Sequence, residues 1–132
     1  MDVDQSVQRY DGFLPGKHAI DAYGDGGFRF GGMSHRGDIL VLPSGIHIWK
    51  RLNSDGFTEE DFLQISKEAA DIELLYIGTG ITKQFLSKEL KGFFRACGIR
   101  GVETLSTGMA AQTYNILFAE NRSVAAALLA VD

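Results

Sequence analysis

The chain has 132 residues, of which 45% are hydrophobic and 23% charged, and its net charge is −4 at pH 7. This length predicts one domain with its own core. The acidic balance argues against nucleic-acid binding, which depends on neutralising phosphates with basic residues. Cys97 is the single cysteine, so an intramolecular disulfide is excluded.

The start of the sequence and its longest apolar run indicate where in the cell the protein is located. The polar, acidic start lacks the layout of a signal peptide. The longest apolar run, residues 124–131, is too short to span a bilayer. We therefore expect a cytoplasmic protein without a transmembrane segment. Residues 1–15 are polar and aperiodic, which predicts a loosely held tail before a single domain over residues 16–132.

Residues 19–49 alternate short apolar runs with glycine-rich turns, a pattern typical of β-strands. Pro43-Ser44-Gly45 separates two such runs and predicts a hairpin. The segment from Gly24 to Gly27 imitates a phosphate-binding loop. No helix start follows it, so a hairpin turn is the favoured interpretation.

Helical periodicity begins after residue 56. Thr58, with Asp61 three residues later, predicts the start of a first helix. The segments predicted after it are a strand at 72–77, a helix at 86–97 that Gly98 ends, a strand at 99–103, a helix at 107–119 and a strand at 124–131. Right-handed crossovers should make the strands near residues 74 and 100 parallel. The last strand is apolar on both faces and should lie inside the sheet. The sequence thus predicts an α/β fold.

A candidate ligand site lies where strands end and helices begin. Gly78, Thr79 and Gly80 follow a strand, and Ser106 and Thr107 open a helix; such places border the ligand crevice of open α/β sheets. A nucleotide fingerprint would need a further glycine in place of Lys83. A tight structural turn is therefore favoured, and a weaker anion-binding role stays open.

Asn115 is the remaining candidate ligand-binding residue. Asparagine is a poor helix former because its side chain competes for backbone hydrogen bonds, so its place in the middle of a helix needs a reason. We predict that it bonds to the turn at residues 78–80 or its neighbours. A ligand role is the alternative to this structural one.

Catalytic and metal-binding patterns do not emerge from the sequence. The three histidines lie in the first half of the chain and lack zinc-ligand spacing, and no base can be assigned to Ser106. Cys97 falls on an apolar stripe at a helix C-terminus, where the dipole disfavours a thiolate. We predict no catalytic residue, metal or cofactor, and a non-catalytic binding protein. A ligand-binding protein or enzyme that uses the crevice is the alternative.

His47, Trp49 and Arg51 alternate along one strand and so share a face. Tryptophan and arginine are typical anchors of protein interfaces, which makes these three residues interface candidates. A tryptophan that covers the edge of the core is the alternative. The expected partner is a protein, and self-association stays open.

Three segments together resemble the small Mth-type domain family of unknown function. They are residues 37–49, residues 75–80, and residues 113–117 with 122–125. The family includes bacterial and archaeal single-domain proteins, an adipogenesis-associated protein and mitochondrial NADH dehydrogenase assembly factor 3. The resemblance implies a three-layer fold: a mixed five-stranded central sheet, helices and an additional N-terminal β-hairpin layer. It also implies an assembly-factor-like role, and this chain is similar to the bacterial members. The family residues carried over are Trp49, Gly78, Thr79, Gly80, Tyr114 and Asn115.

Overall fold

The computed structural model describes residues 12–51 and 56–132. Most of the predicted tail lies outside these residues. The last part of the predicted tail lies within them and is ordered, because Phe13–Pro15 form strand β1 and pair antiparallel with a later strand. The tail prediction is therefore wrong for these three residues.

A small antiparallel sheet follows β1. It consists of β2 (Ala22–Gly24), β3 (Gly27–Phe30) and β4 (Met33–Arg36). Asp25 and Gly26 turn the chain between β2 and β3 with positive φ values of 52° and 78°. This confirms a hairpin turn at the glycine-rich segment. Phe28 and Phe30 point into the core, and Arg29 between them is exposed.

The central sheet is mixed and has six strands in the described part of the chain. Besides β1, its strands are β5 (Ile39–Leu42), β6 (Gly45–Ile48), β7 (Leu74–Gly78), β8 (Gly101–Leu105) and β9 (Val124–Leu128). Their order across the sheet is β1-β6-β5-β9-β7-β8. The resemblance implied five strands, and β1 at the edge accounts for the difference.

Two predictions about this sheet are confirmed. Strand β7 runs parallel to β8, as the crossover rule requires. Strand β9 lies between β5 and β7, with all five of its residues buried. The Pro43-Ser44-Gly45 hairpin is also present, since β5 and β6 pair antiparallel on either side of it.

Three α-helices occur among the described residues: α1 (Leu63–Lys67), α2 (Lys88–Cys97) and α3 (Thr107–Ala119). A 3-10 turn at Glu59–Phe62 leads into α1, and the Asp61 carboxylate accepts the Thr58 N–H over 2.8 Å, as the capping pattern predicted. Gly98 ends α2 in the left-handed conformation with φ of 89°.

The core is divided by the central sheet. Phe62, Ile65, Leu90 and Phe94, from the helical turn, α1 and α2, fill one side. Ala110 and Tyr114 from α3 fill the other side, together with Phe28 and Phe30 from the small sheet. The predicted three-layer α/β architecture is confirmed.

Candidate functional site

The turn after β7 and the start of α3 meet as predicted, and hydrogen bonds join them directly. Thr107 Oγ1 accepts the Gly80 N–H over 3.0 Å and donates to the Leu129 carbonyl over 2.7 Å. The Thr107 N–H donates back to the Gly80 carbonyl over 2.8 Å. A Cβ added to Gly78 would lie only 2.8 Å from Thr107 Cα, so this close approach requires glycine.

Thr79 organises the loop that follows the turn. Its hydroxyl donates to the Thr82 carbonyl over 2.8 Å and accepts the Gln84 N–H over 2.9 Å. Its own N–H donates to the Leu105 carbonyl over 2.9 Å. Thr79 and Thr107 are both buried, and their hydroxyls bond to the chain's own backbone. These contacts support a structural role for the turn, and the ligand role of these residues and of Ser106 stays a prediction.

Asn115 does not bond to this turn. Its Oδ1 accepts the Ile20 N–H and its Nδ2 donates to the Ile20 carbonyl, both over 2.8 Å. The predicted bond to residues 78–80 is therefore wrong, but the partly buried amide does bond within the chain, as a structural role requires. The Asn115 amide thus bonds to both backbone polar groups of Ile20, and so ties α3 to the segment that leads into β2.

Tyr114 reinforces this tie. Its hydroxyl donates to the His18 carbonyl over 2.9 Å, and its ring stacks on Phe118. Burial raises the pKa of Tyr114 well above its usual value, so the hydroxyl stays protonated and remains a donor at neutral pH. The two family residues on α3 thus fasten the small β-layer to the helix.

The interface candidates lie on a covered face. Trp49 is only 4% exposed, its ring stacks on Phe57, and its Nε1 donates to the Asp61 carbonyl over 2.7 Å. The Arg51 guanidinium lies 5.6 Å from the centroid of the Trp49 ring. His47 is partly buried against Phe13. The alternative that Trp49 covers the core is therefore the supported one, and an interface anchored on Trp49 is not.

No sequence pattern indicated a polar group that joins Ser44, His47 and Glu68. The Ser44 hydroxyl donates to Glu68 Oε2 over 2.6 Å and lies 2.8 Å from His47 Nε2. In a catalytic triad the histidine separates the serine from the carboxylate. Here the serine lies between the other two, so the group fastens the β5–β6 turn to the end of α1. Burial lowers the pKa of His47, against the attraction of Glu68.

The loop between β7 and α2 displays two apolar side chains that were not among the sequence candidates. Ile81 is 81% exposed and Phe85 is 83% exposed. The loop backbone is held by the Thr79 and Thr107 bonds at residues 80, 82 and 84. Isolated apolar residues in a loop carry no sequence signal, since single exposed ones are common.

The outer side of α3 carries two exposed apolar side chains as well. The helix has no charged residue, its inner side packs on the sheet, and Met109 and Ile116 are 53% and 60% exposed. These two residues are seven positions apart and so lie on one side of the helix. The exposed Gln112 lies between them on the same side. We call Ile81, Phe85, Met109 and Ile116 the loop–helix surface, because the hydrogen bonds between Gly80 and Thr107 join the loop to the start of α3.

Residues 12–51 and 56–132 contain neither a metal-binding cluster nor a membrane-spanning helix. No group of three or more His, Cys, Asp or Glu side chains in this part of the chain is placed to hold a metal ion. No helix there is long and apolar enough to cross a membrane. Burial raises the pKa of the Cys97 thiol, with a further contribution from Glu59, so the thiol is protonated at neutral pH.

Fold and site together define a small mixed α/β domain in which a hydrogen-bonded strand-end turn supports an exposed apolar loop. The chain belongs to a family of proteins of unknown function, DUF498/DUF598, whose model matches residues 20–129.

Relatives agree with this assignment. A solved Bartonella henselae structure, described as an outer membrane protein, is 45% identical with a TM-score of 0.83, and the match covers 90% of this chain and 99% of that one. A Bordetella pertussis structure described as an Mth938-like domain is 29% identical with a TM-score of 0.64, covering 86% and 85%. The Mth-type resemblance is confirmed.

A human protein extends the comparison. NADH dehydrogenase (ubiquinone) 1 alpha subcomplex assembly factor 3 is 31% identical over 83% of this chain. The match covers 59% of the human protein, so this chain corresponds to little more than half of it.

Proposed function

We propose that the protein acts without catalysis, by binding another protein through the loop–helix surface in an assembly-factor-like role. The observation that carries the proposal is the exposure of Ile81 and Phe85, 81% and 83%, on a loop whose backbone is held by two buried threonines. Burying a large apolar side chain contributes roughly 1.5–3 kcal/mol. Binding therefore has a clear driving force at these two positions.

The hydrogen bonds beneath the loop matter for affinity. A mobile loop loses conformational freedom when it binds, and that loss subtracts from the binding free energy. Thr79 contacts the loop backbone at Thr82 and Gln84, and Thr107 contacts it at Gly80. We infer that this support orders the loop before a partner arrives. Thr79, Gly80 and Thr107, which were predicted to bind a ligand, would then act by positioning the side chains of Ile81 and Phe85.

The family relationship supports the same role. A human relative is named as an assembly factor of NADH dehydrogenase, and an exposed apolar surface suits such a role. For this chain the assembly role, the protein partner and the cytoplasmic location remain parts of the proposal. Met109 and Ile116 on the outer side of α3 would extend the surface beyond the loop by about two helical turns.

Affinity purification from the native cell tests the proposal. The bait is the wild-type chain, the Ile81→Ser/Phe85→Ser double variant, or a Leu63→Ser control. Leu63 is also half exposed and apolar, but it lies on α1, across the central sheet from α3. We expect one specific partner to be recovered at least tenfold less with the double variant and equally with the control. Equal recovery by all three baits would contradict the proposal.

A further inference from the structure

The outer face of the three-stranded sheet forms a groove of about 290 Å³. Strand pairing aligns Ala22, Arg29 and Ser34 in one row across this face. The next row contains Gly24, Gly27 and Arg36. Each of these rows therefore has one large side chain, an arginine, among small residues; Tyr23, Phe28 and His35 from the row between them also line the groove.

The register also sets the spacing of the two arginines. Ser34 is directly opposite Arg29, and Arg36 is two positions further along β4, which makes Arg36 a diagonal neighbour of Arg29. Diagonal neighbours on one face of an antiparallel pair are roughly 7–8 Å apart at the backbone. Two arginine side chains can bridge that distance to a single bound group. The alternation of the strand turns Phe28 and Phe30 into the core on the opposite face.

The charges of these arginines are not neutralised within the described residues. Within the described residues, neither Arg29 nor Arg36 forms an ion pair with a carboxylate. By contrast, Arg51 pairs with Asp38 and Arg122 pairs with Glu73. Arg36 Nη1 donates to the backbone carbonyl of Asp25 over 2.8 Å, which orients its guanidinium at the end of the groove. Arg29 and Arg36 are both exposed, on a protein whose net charge is −4.

We propose that this groove binds a compact ligand that carries an oxyanion, either a carboxylate or a phosphate group. Guanidinium groups bind both oxyanions through paired, charge-assisted hydrogen bonds. The groove lies near the lower end of small-ligand pocket volumes, roughly 300–1,000 Å³. Asp25 also lines the groove, and its carboxylate disfavours an anion next to it. The oxyanion therefore belongs between Arg29 and Arg36, beside Ser34.

Amide chemical shifts in a ¹⁵N-labelled sample test this site. Sodium phosphate and sodium succinate are titrated separately, with sodium chloride at equal ionic strength as the reference. We expect at least one of the two anions to give saturable shifts at residues 22–29 and 34–36. Saturation by phosphate alone identifies a phosphate site, and saturation by succinate alone identifies a carboxylate site.

Matched variants complete the test. Arg29→Gln/Arg36→Gln removes two charges from the groove, and Lys91→Gln/Arg95→Gln removes two from the exposed side of α2. The apparent Kd should rise at least tenfold in the first and change less than twofold in the second. Arg29→Lys/Arg36→Lys keeps both positive charges but lacks the planar guanidinium groups, so its Kd should lie between those of the wild type and the double glutamine variant. Shifts that do not saturate, or that are the same in all variants, would overturn the proposal.

Discussion

Thr79 and Thr107 act as structural hubs although neither is large or charged. Each hydroxyl both donates and accepts a backbone hydrogen bond in a buried position. Buried backbone groups cost free energy when they lose a partner, so one side chain can fix several segments at once. Thr107 thereby connects the β7 turn, the start of α3 and the segment after β9.

Thr107→Val tests this role because it keeps the shape and removes the hydroxyl. The Gly80 N–H and the Leu129 carbonyl would each lose a partner. We expect a loss of roughly 2–4 kcal/mol in the free energy of unfolding, measured by urea denaturation. The control is Thr113→Val on the same helix, which should change stability by less than about 0.5 kcal/mol. Equal effects of the two variants would refute the hub role.

His47 makes stability depend on pH. Burial lowers its pKa below the usual 6.5, so the folded chain binds a proton less readily than the unfolded chain. Stability should therefore be greatest above about pH 7.5 and fall as the pH drops through 6.5 towards the folded pKa. His35 shifts in the same direction for the same reason.

The His47→Gln variant isolates this contribution, because it keeps His35 and every carboxylate. Urea denaturation at several pH values between about 5 and 8 should show a shallower fall in stability for the variant than for the wild type. Identical pH profiles would mean that His47 does not contribute.

At the scale of elements, the β6 end and the 3-10 turn before α1 depend on Trp49. The ring stacks on Phe57 and packs against Phe62, and Nε1 donates to the Asp61 carbonyl. We expect Trp49→Ala to cost about 3–5 kcal/mol of stability. Trp49→Phe keeps an aromatic ring but loses the hydrogen bond, which should cost roughly 1–3 kcal/mol. Thermal denaturation of both variants would show this order, and a stable Trp49→Ala variant would contradict it.

Local elements could be predicted from the sequence, because their signals are local. The third helix was predicted at 107–119 and is found at Thr107–Ala119, since the hydroxyl cap and the apolar spacing lie within the segment itself. The last strand was predicted at 124–131 and placed inside the sheet because the segment lacks a polar face, and β9 is found there at Val124–Leu128. Strand β1 was missed because three residues of a polar segment show no period.

Contacts between distant elements could not be predicted. Asn115 and Ile20 are 95 positions apart, and the sequence gives no indication of which segment crosses α3. The alternation of His47, Trp49 and Arg51 showed that they share a face, but not that helices cover it. The Ser44–Glu68 contact likewise depends on how α1 packs over the β5–β6 turn.

At the scale of the whole molecule, the two proposed sites have different chemistry. The loop–helix surface is apolar and supported by buried hydrogen bonds, which suits a protein partner. The groove on the small sheet carries two arginines and suits a compact anion. They are fastened to one another, because Tyr23 of β2 lies against Gly108 in the first turn of α3. Each site can nevertheless be disrupted by substituting its exposed residues, and such substitutions leave the other site intact.

Hydrogen–deuterium exchange tests the central claim most directly. Exchange is measured for the free chain and for the chain bound to the partner that the affinity experiment recovers, and the two are compared. We predict that binding slows exchange in the loop at residues 80–87 and along α3 at Thr107–Ala119, and leaves α1 and the exposed side of α2 unchanged. Slower exchange confined to α1, α2 or the β5–β6 turn would show that the partner binds the opposite side of the sheet, and would contradict the account.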